Sequence, residues 1–318
     1  MAYRFKVDRP VDEEVRRIAG KQLALALEHL GAIGDVEKDK ALHEARRHVK
    51  KVRALIRLVR PALGASYRKS NKALRRVNRL LSPIADGEAV LDTLTRLETR
   101  SAAELSTAVG ALREALLARR AAIDRRAKAD RVLQSCTSAL KAEQARITAW
   151  RLTPRGHRAV TGGLGKTVRA ARRGMARAVA HPTAGNYHAW RRRVKDHWFQ
   201  LRLLERRCGG DLVARQQLLE TLDGHLGEYH NCVLLQSVLA RATNLGRPDT
   251  ARLLRALRRY QTELRVEAAR LGADTYGERP RQFVTRVERA WRSTSRSTSR
   301  SKEAGRSGPE EESWARVL

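Results

Sequence analysis

From residue 10 to about 292, apolar residues recur three and four positions apart and alternating stretches are scarce, so the chain reads as helix almost throughout, with no sheet expected. Ala, Leu, Arg and Glu dominate these segments, and all four are good helix formers. Gly, Pro, Asn and Asp cluster near residues 31–39, 61–66, 82–87, 153–165, 181–186, 208–211, 245–249 and 272–280, dividing the chain into successive helices. The pattern stops near residue 292. Beyond it, RSTSRSTSRSKEAGRSGPEEES carries one Ala as its only apolar side chain and is expected to be disordered. The expected fold class is therefore all-α with a disordered C-terminal tail.

The helix predicted over 42–60, LHEARRHVKKVRALIRLVR, is sharply two-faced. At about 100° per residue, His43, Arg46, Arg47, Lys50, Arg53 and Arg57 fall within an arc of roughly 120°, with Ala45, Val49, Val52, Ile56 and Val59 opposite. One face suits a core, and the other presents a cationic row about 20 Å long. Glu44 is the only acid in this helix, whereas solubility alone would favour interspersed acids that lower self-repulsion.

The same unit returns at 187–204 as YHAWRRRVKDHWFQLRLL, at a constant offset of 145 residues. His43 pairs with His188, Arg46 with Arg191, Arg47 with Arg192, Lys50 with Lys195 and Arg57 with Arg202. The offset persists to Leu81 and Leu226, and to Asp86 and Asn231. The second row is thinner, because Asp196 replaces Lys51 and Trp198 replaces Arg53. Two copies of one helical unit follow, expected over 1–150 and 151–292, with 293–318 as the tail. Two flanking segments carry stripes of their own: Lys69, Lys72, Arg76 and Arg79 within 65–81, and Lys166, Arg169, Arg173 and Arg177 within 164–180. Facing one another, such rows would make a cationic groove.

Charge sharpens this picture. Lys and Arg number 66 against 34 Asp and Glu, for a formal net charge of +32, so a polyanionic partner is expected. Aromatics are only 4%, too few for the stacking platforms that single-stranded nucleic acid needs, and a phosphate chain without bases fits better. Arg forks grip phosphate oxygens bidentately and Lys adds point charge, so a mixed lining holds successive phosphates without reading anything else. Cys136, Cys208 and Cys232 are odd in number and far apart, which points to a reducing compartment rather than a disulfide framework or zinc site. With no apolar leader at the N-terminus and no uncharged run of roughly 18 residues, the expected location is the cytoplasm, without a membrane span.

Two decoys are set aside. His43, Glu44 and His48 do not form HExxH, because His48 lies five residues on and about 140° around the helix from His43, so no metal and no cofactor are expected. GGLGKT at 162–167 ends like a phosphate-binding loop, but Val160 holds the first glycine position and no strand precedes it; Lys166 and Thr167 are expected to open a helix. His43 and His188 either bond phosphate or bond a neighbouring helix, while His225 and His230 read as local structural residues.

The duplicated H-x-x-R-R-x-x-K unit, each copy followed 43 residues after its His by Asp86 or Asn231, is similar to the CHAD family, the conserved histidine α-helical domain, over about residues 10–292. The resemblance implies two four-helix bundles related by pseudo-twofold symmetry, side by side around a central basic groove or channel. It also implies inorganic polyphosphate as the ligand, met by His43, Arg46, Arg47, Lys50, Arg53 and Arg57 in one half and by His188, Arg191, Arg192, Lys195 and Arg202 in the other. The family's Arg before the Asp is replaced by Ala85 and His230, so Asp86 and Asn231 are expected only as helix N-caps. No ExExK motif of the CYTH hydrolases is present, which implies a stand-alone, non-catalytic binding module with no catalytic residues. Polyphosphate or polyhydroxyalkanoate granules are its expected larger partners. The rival readings are a nucleic-acid-binding protein, which the charge permits, and an enzyme or accessory subunit of phosphoanhydride metabolism. The latter would want Mg²⁺ on clustered carboxylates that the stripes lack.

Overall fold

The computed structural model describes residues 3–32, 38–85, 87–101, 106–124, 128–241 and 246–304, and among these there is no strand. The helices are α1 (Val11–Gly31), α2 (Lys38–Leu58), α3 (Arg60–Leu63), α4 (Ala65–Ala85), α5 (Gly87–Ser101), α6 (Ser106–Asp124) and α7 (Lys128–Ile147). They continue with α8 (Arg158–Ala180), α9 (Ala184–Cys208), a 3₁₀ turn (Gly209–Leu212), α10 (Val213–Leu239), α11 (Arg247–Tyr276) and α12 (Pro280–Ala304).

Local chemistry sets the ends. α1 opens after Pro10 with Asp12, Glu13 and Glu14 in its first turn, where carboxylates complement the positive end of the helix dipole. Thr183 caps α9 by accepting the Asn186 amide at 3.2 Å. Gly209, at φ 68°, ends α9 in the left-handed region that glycine enters most easily.

Three expectations need correction. α8 begins at Arg158, so Lys166 and Thr167 lie inside it rather than opening a helix. Asn231 is not an N-cap, because α10 runs unbroken from Val213 to Leu239; Asp86 lies outside the described residues. α12 carries on to Ala304, into the segment expected to be disordered, with the Thr294 and Ser295 hydroxyls bonding back to the carbonyls of Ala290 and Trp291 at 3.2 and 3.0 Å. Such bonds satisfy small polar side chains within the helix itself. Residues 305–318 lie outside the described residues.

α1 packs on α2, α2 on α4, α4 on α7 and α7 on α1; likewise α8 packs on α9, α9 on α10, α10 on α11 and α11 on α8. α5 and α6 lie against α10 and α11, and α12 lies against α8 and α9. The apolar side of α2 behaves as its periodicity requires: Ala45, Val49, Val52 and Ile56 are fully buried, as is Val59 just past its end. No helix among the described residues is long and apolar enough to cross a membrane.

The two sets meet where α2 touches α8 and α9. Gly163 makes the first approach possible: a Cβ there would stand 1.8 Å from the Leu58 carbonyl oxygen and 2.5 Å from that of Arg57. The glycines that mimic a phosphate loop in sequence thus serve helix packing. Deep in α9, His197 is fully buried against Tyr276 and Phe283, with its pKa pushed down to about 3 by burial and then by the Arg215 charge.

Gly163→Ala is expected to destabilise the protein by about 1–3 kcal/mol through overpacking, whereas Gly20→Ala, with open space at its Cβ, should be neutral or mildly stabilising; urea unfolding midpoints check both. Because His197 is neutral when folded and titrates near its ordinary value when unfolded, the unfolded chain binds the extra proton. Stability should therefore fall as pH drops below about 6.5, with this side chain contributing a slope approaching ~1.4 kcal/mol per pH unit. His197→Phe should flatten the measured slope between about pH 6.5 and 5.

A cationic cavity between the two histidine-bearing helices

α2 and α9 cross in close contact, and specific bonds hold the crossing. The buried Gln200 amide donates to the Ala54 carbonyl at 3.2 Å. Arg57 of α2 meets Asp196 of α9 at 2.8 Å, and Arg193 reaches the other oxygen of the same carboxylate at 3.0 Å. Beside this crossing, with α4 and α10 as further walls, lies a cavity of ≈ 420 Å³.

α2 supplies His43, Arg46, Lys50, Arg53 and Arg57 to its lining; α9 supplies His188, Arg191, Arg192, Arg193, Lys195, Asp196 and Phe199. Arg75, Asn78, Arg79 and Ser82 enter from α4, and His230, Asn231 and Leu234 from α10. Ten lysines and arginines therefore face one carboxylate across the described lining, an arrangement whose self-repulsion an entering anion would relieve.

The residues are not equally available. Asp196 engages Arg57 and Arg193, and behind the wall Asp223 of α10 holds Lys195 at 2.8 Å and Arg191 at 3.8 Å. Arg46 donates to Ser82 at 2.9 Å, joining α2 to α4. Arg53, Arg75, Arg79 and Arg192 make no salt bridge among the described residues. Burial and then the neighbouring Arg57 charge pull Arg53 down to about 10, still charged at neutral pH, and its Nε has no hydrogen-bond partner. Arg192 is lowered by burial and Arg193, and His43 by burial and Lys50, so the His43 imidazole is held towards its neutral form.

Ten of the expected ligand residues thus converge: His43, Arg46, Lys50, Arg53, Arg57, Arg79, His188, Arg191, Arg192 and Lys195. The others lie elsewhere. Arg47 sits at the far edge of the helical arc and pairs with Glu44 at 3.1 Å. Lys69, Lys72 and Arg76 are solvent-exposed on the other flank of α4's polar face. Arg202 stacks over Trp198 at 5.2 Å, one turn back on α9, drawn off the row by the aromatic that replaces Arg53 in the second copy. Arg169 and Arg173 line an adjoining cavity of ≈ 300 Å³ together with Lys166, Arg60, Tyr67, Arg57 and Arg193; the last two border both cavities.

Several lining residues were not anticipated. Arg75, Asn78 and Ser82 join Arg79 at the three and four residue spacing of one helix flank, a stripe readable in the sequence but hidden beside the more basic one. His230, read as structural, faces the cavity with its ring 4.6 Å from that of His188. Asn231 also lines it and donates to the Thr93 hydroxyl at 3.2 Å.

The comparison with curated proteins gives no match for this chain. The family model described as CHAD domain matches residues 17–240, a stretch containing both histidine-bearing helices and the whole cavity lining, and the chain belongs to that family.

Proposed function

We propose that this protein is a non-catalytic binder of inorganic polyphosphate, gripping the phosphate chain in the cavity between α2 and α9. The observation that carries this reading is the convergence of ten Lys and Arg side chains from three helices on one hollow, with a single carboxylate among the described lining residues, itself spent on Arg57 and Arg193. Phosphate groups would replace the missing counter-charge for Arg53, Arg75, Arg79 and Arg192, and guanidinium forks suit their oxygens. Among the described lining residues Phe199 is the only aromatic other than the histidines and it is buried, which disfavours base stacking there. The described lining residues include no carboxylate cluster to hold Mg²⁺, which favours binding over hydrolysis.

The duplication supports a twofold architecture behind this function. The offset of 145 residues that relates α2 to α9 also carries α1 onto α8, α4 onto α10 and α7 onto the first turns of α12, which packs on α8 and α9, so the chain reads as two related four-helix units with the cavity at their junction. Residues 1–150 and 151–292 are the two halves in this reading. A cytoplasmic protein of this kind would be recruited to granules that hold polyphosphate.

Titration with long-chain polyphosphate, against duplex DNA and RNA at equal charge and varied salt, tests the reading; tighter binding of either nucleic acid overturns it. Arg79→Ala and Arg192→Ala should each weaken polyphosphate binding by roughly tenfold or more, the loss expected of a charge-assisted contact worth about 1.5–3 kcal/mol. Arg47→Ala, outside the cavity, should change it little. Because bound anion favours imidazolium, the depressed His43 pKa must rise on binding. The complex then takes up protons and affinity increases as pH falls from about 7.5 to 6. Calorimetry in buffers of different ionisation enthalpy should show this uptake, and His43→Gln should reduce it.

A further inference from the structure

A second constellation lies away from the cationic cavity, between the last turn of α1 and the first half of α2. His29 of α1 and Glu44 and His48 of α2 each offer a ligand atom, and these atoms all lie within 4.8 Å of one another. Glu44 and His48 are four residues apart and share a helix face, with His48 Nε2 4.0 Å from the carboxylate. The rings of His29 and His48 stack with centroids 5.5 Å apart at 18°.

The orientation of His48 is informative. Its Nδ1 lies 2.8 Å from Oε1 of the buried Gln22, an atom that only accepts, so Nδ1 carries the proton and donates it. Nε2 is then left with its lone pair, and it is Nε2 that faces Glu44. Metal-bound histidines are held in this way, the remote N–H donated to a carbonyl or carboxylate that fixes tautomer and ring direction. Gln22 and His29 are seven residues apart on one face of α1, so the same helix supplies both a ligand and the support for a ligand on its neighbour.

We propose that His29, Glu44 and His48 form a site for a divalent transition-metal ion, best matched to zinc, that fastens the end of α1 to α2. Two imidazoles and one carboxylate are a donor set that Zn²⁺ accepts, with water in the fourth position. Metal–ligand bonds of about 2.0–2.1 Å at tetrahedral angles need ligand atoms roughly 3.3 Å apart, so the three side chains close in by about 1 Å on binding. The half-buried Glu44 can make that adjustment while keeping one oxygen on Arg47. The Arg47 and Lys51 charges act on His48 and oppose a dication, which makes Glu44 essential to the site. The HExxH test failed because it paired His48 with His43; the second imidazole comes from a different helix. This site does not rest on the phosphate reading.

The full chain, stripped with a chelator, should bind one equivalent of Zn²⁺ by calorimetry and give the intense visible bands of tetrahedral Co²⁺. His29→Ala and the isosteric Glu44→Gln should each lower Zn²⁺ affinity at least tenfold, and Gln22→Leu by roughly 10–100-fold, with helical circular dichroism unchanged. Failure to bind stoichiometrically, or binding that both His29→Ala and Glu44→Gln leave intact, overturns the proposal. Should His29→Ala misfold, Glu44→Gln still decides, since it keeps the side chain's shape and removes only its charge.

Discussion

The crossing of α2 on α9 is the constraint on which the rest of this structure depends. Each helix buries an apolar face fully and carries a row of cations beside it, so packing the apolar faces forces two like-charged rows together. The Asp196 carboxylate, bonded to Arg57 across the interface and to Arg193 along its own helix, offsets part of that repulsion where the helices come closest. Gln200 and the bare backbone at Gly163 then hold α2 against α9 and α8. A buried carboxylate between two guanidiniums has to be fully bonded to justify its desolvation, and here both of its oxygens are engaged.

From that crossing follows a division of labour among charges. Asp196 and Asp223 hold Arg57, Arg193, Lys195 and Arg191 in place, which pre-orders part of the lining. Arg53, Arg75, Arg79 and Arg192 make no such salt bridge among the described residues and supply the unbalanced field that an anion would satisfy. The two histidine-bearing helices share this work unequally. The first has Arg53 in the lining; the second has Trp198 at the equivalent position, packed against the core outside the lining with Arg202 stacked on it, and Arg192 is its cation without a salt bridge among the described residues.

Much of this was legible in the residues. Helical periodicity, the buried face of α2 and the paired histidine units are local properties: they depend on spacing along one helix and survive whatever the helix packs against. The reading was weaker wherever it depended on which flank of a polar face meets a neighbour. On α4, the basic stripe through Lys72 and Arg76 looked the stronger, yet the flank through Arg75, Asn78, Arg79 and Ser82 faces the hollow, because Leu74, Val77 and Leu81 set the helix's rotation. The role of the GGLG glycines was hidden for a similar reason: the sequence excluded a phosphate loop there, but only the neighbouring backbone of α2 shows that Gly163 is there to be thin.

By itself, then, the sequence determined an all-helical chain, two equivalent cationic helices and an excess of positive charge, since each follows from composition and from periods of three to four residues. Only the tertiary structure decided which cations share one hollow, which are tied to Asp196, Asp223 or Glu44, and that His48 finds its partner in His29. Those outcomes depend on the rotation and crossing of helices far apart in the chain, which are set by packing between them and leave no trace in the spacing along either one.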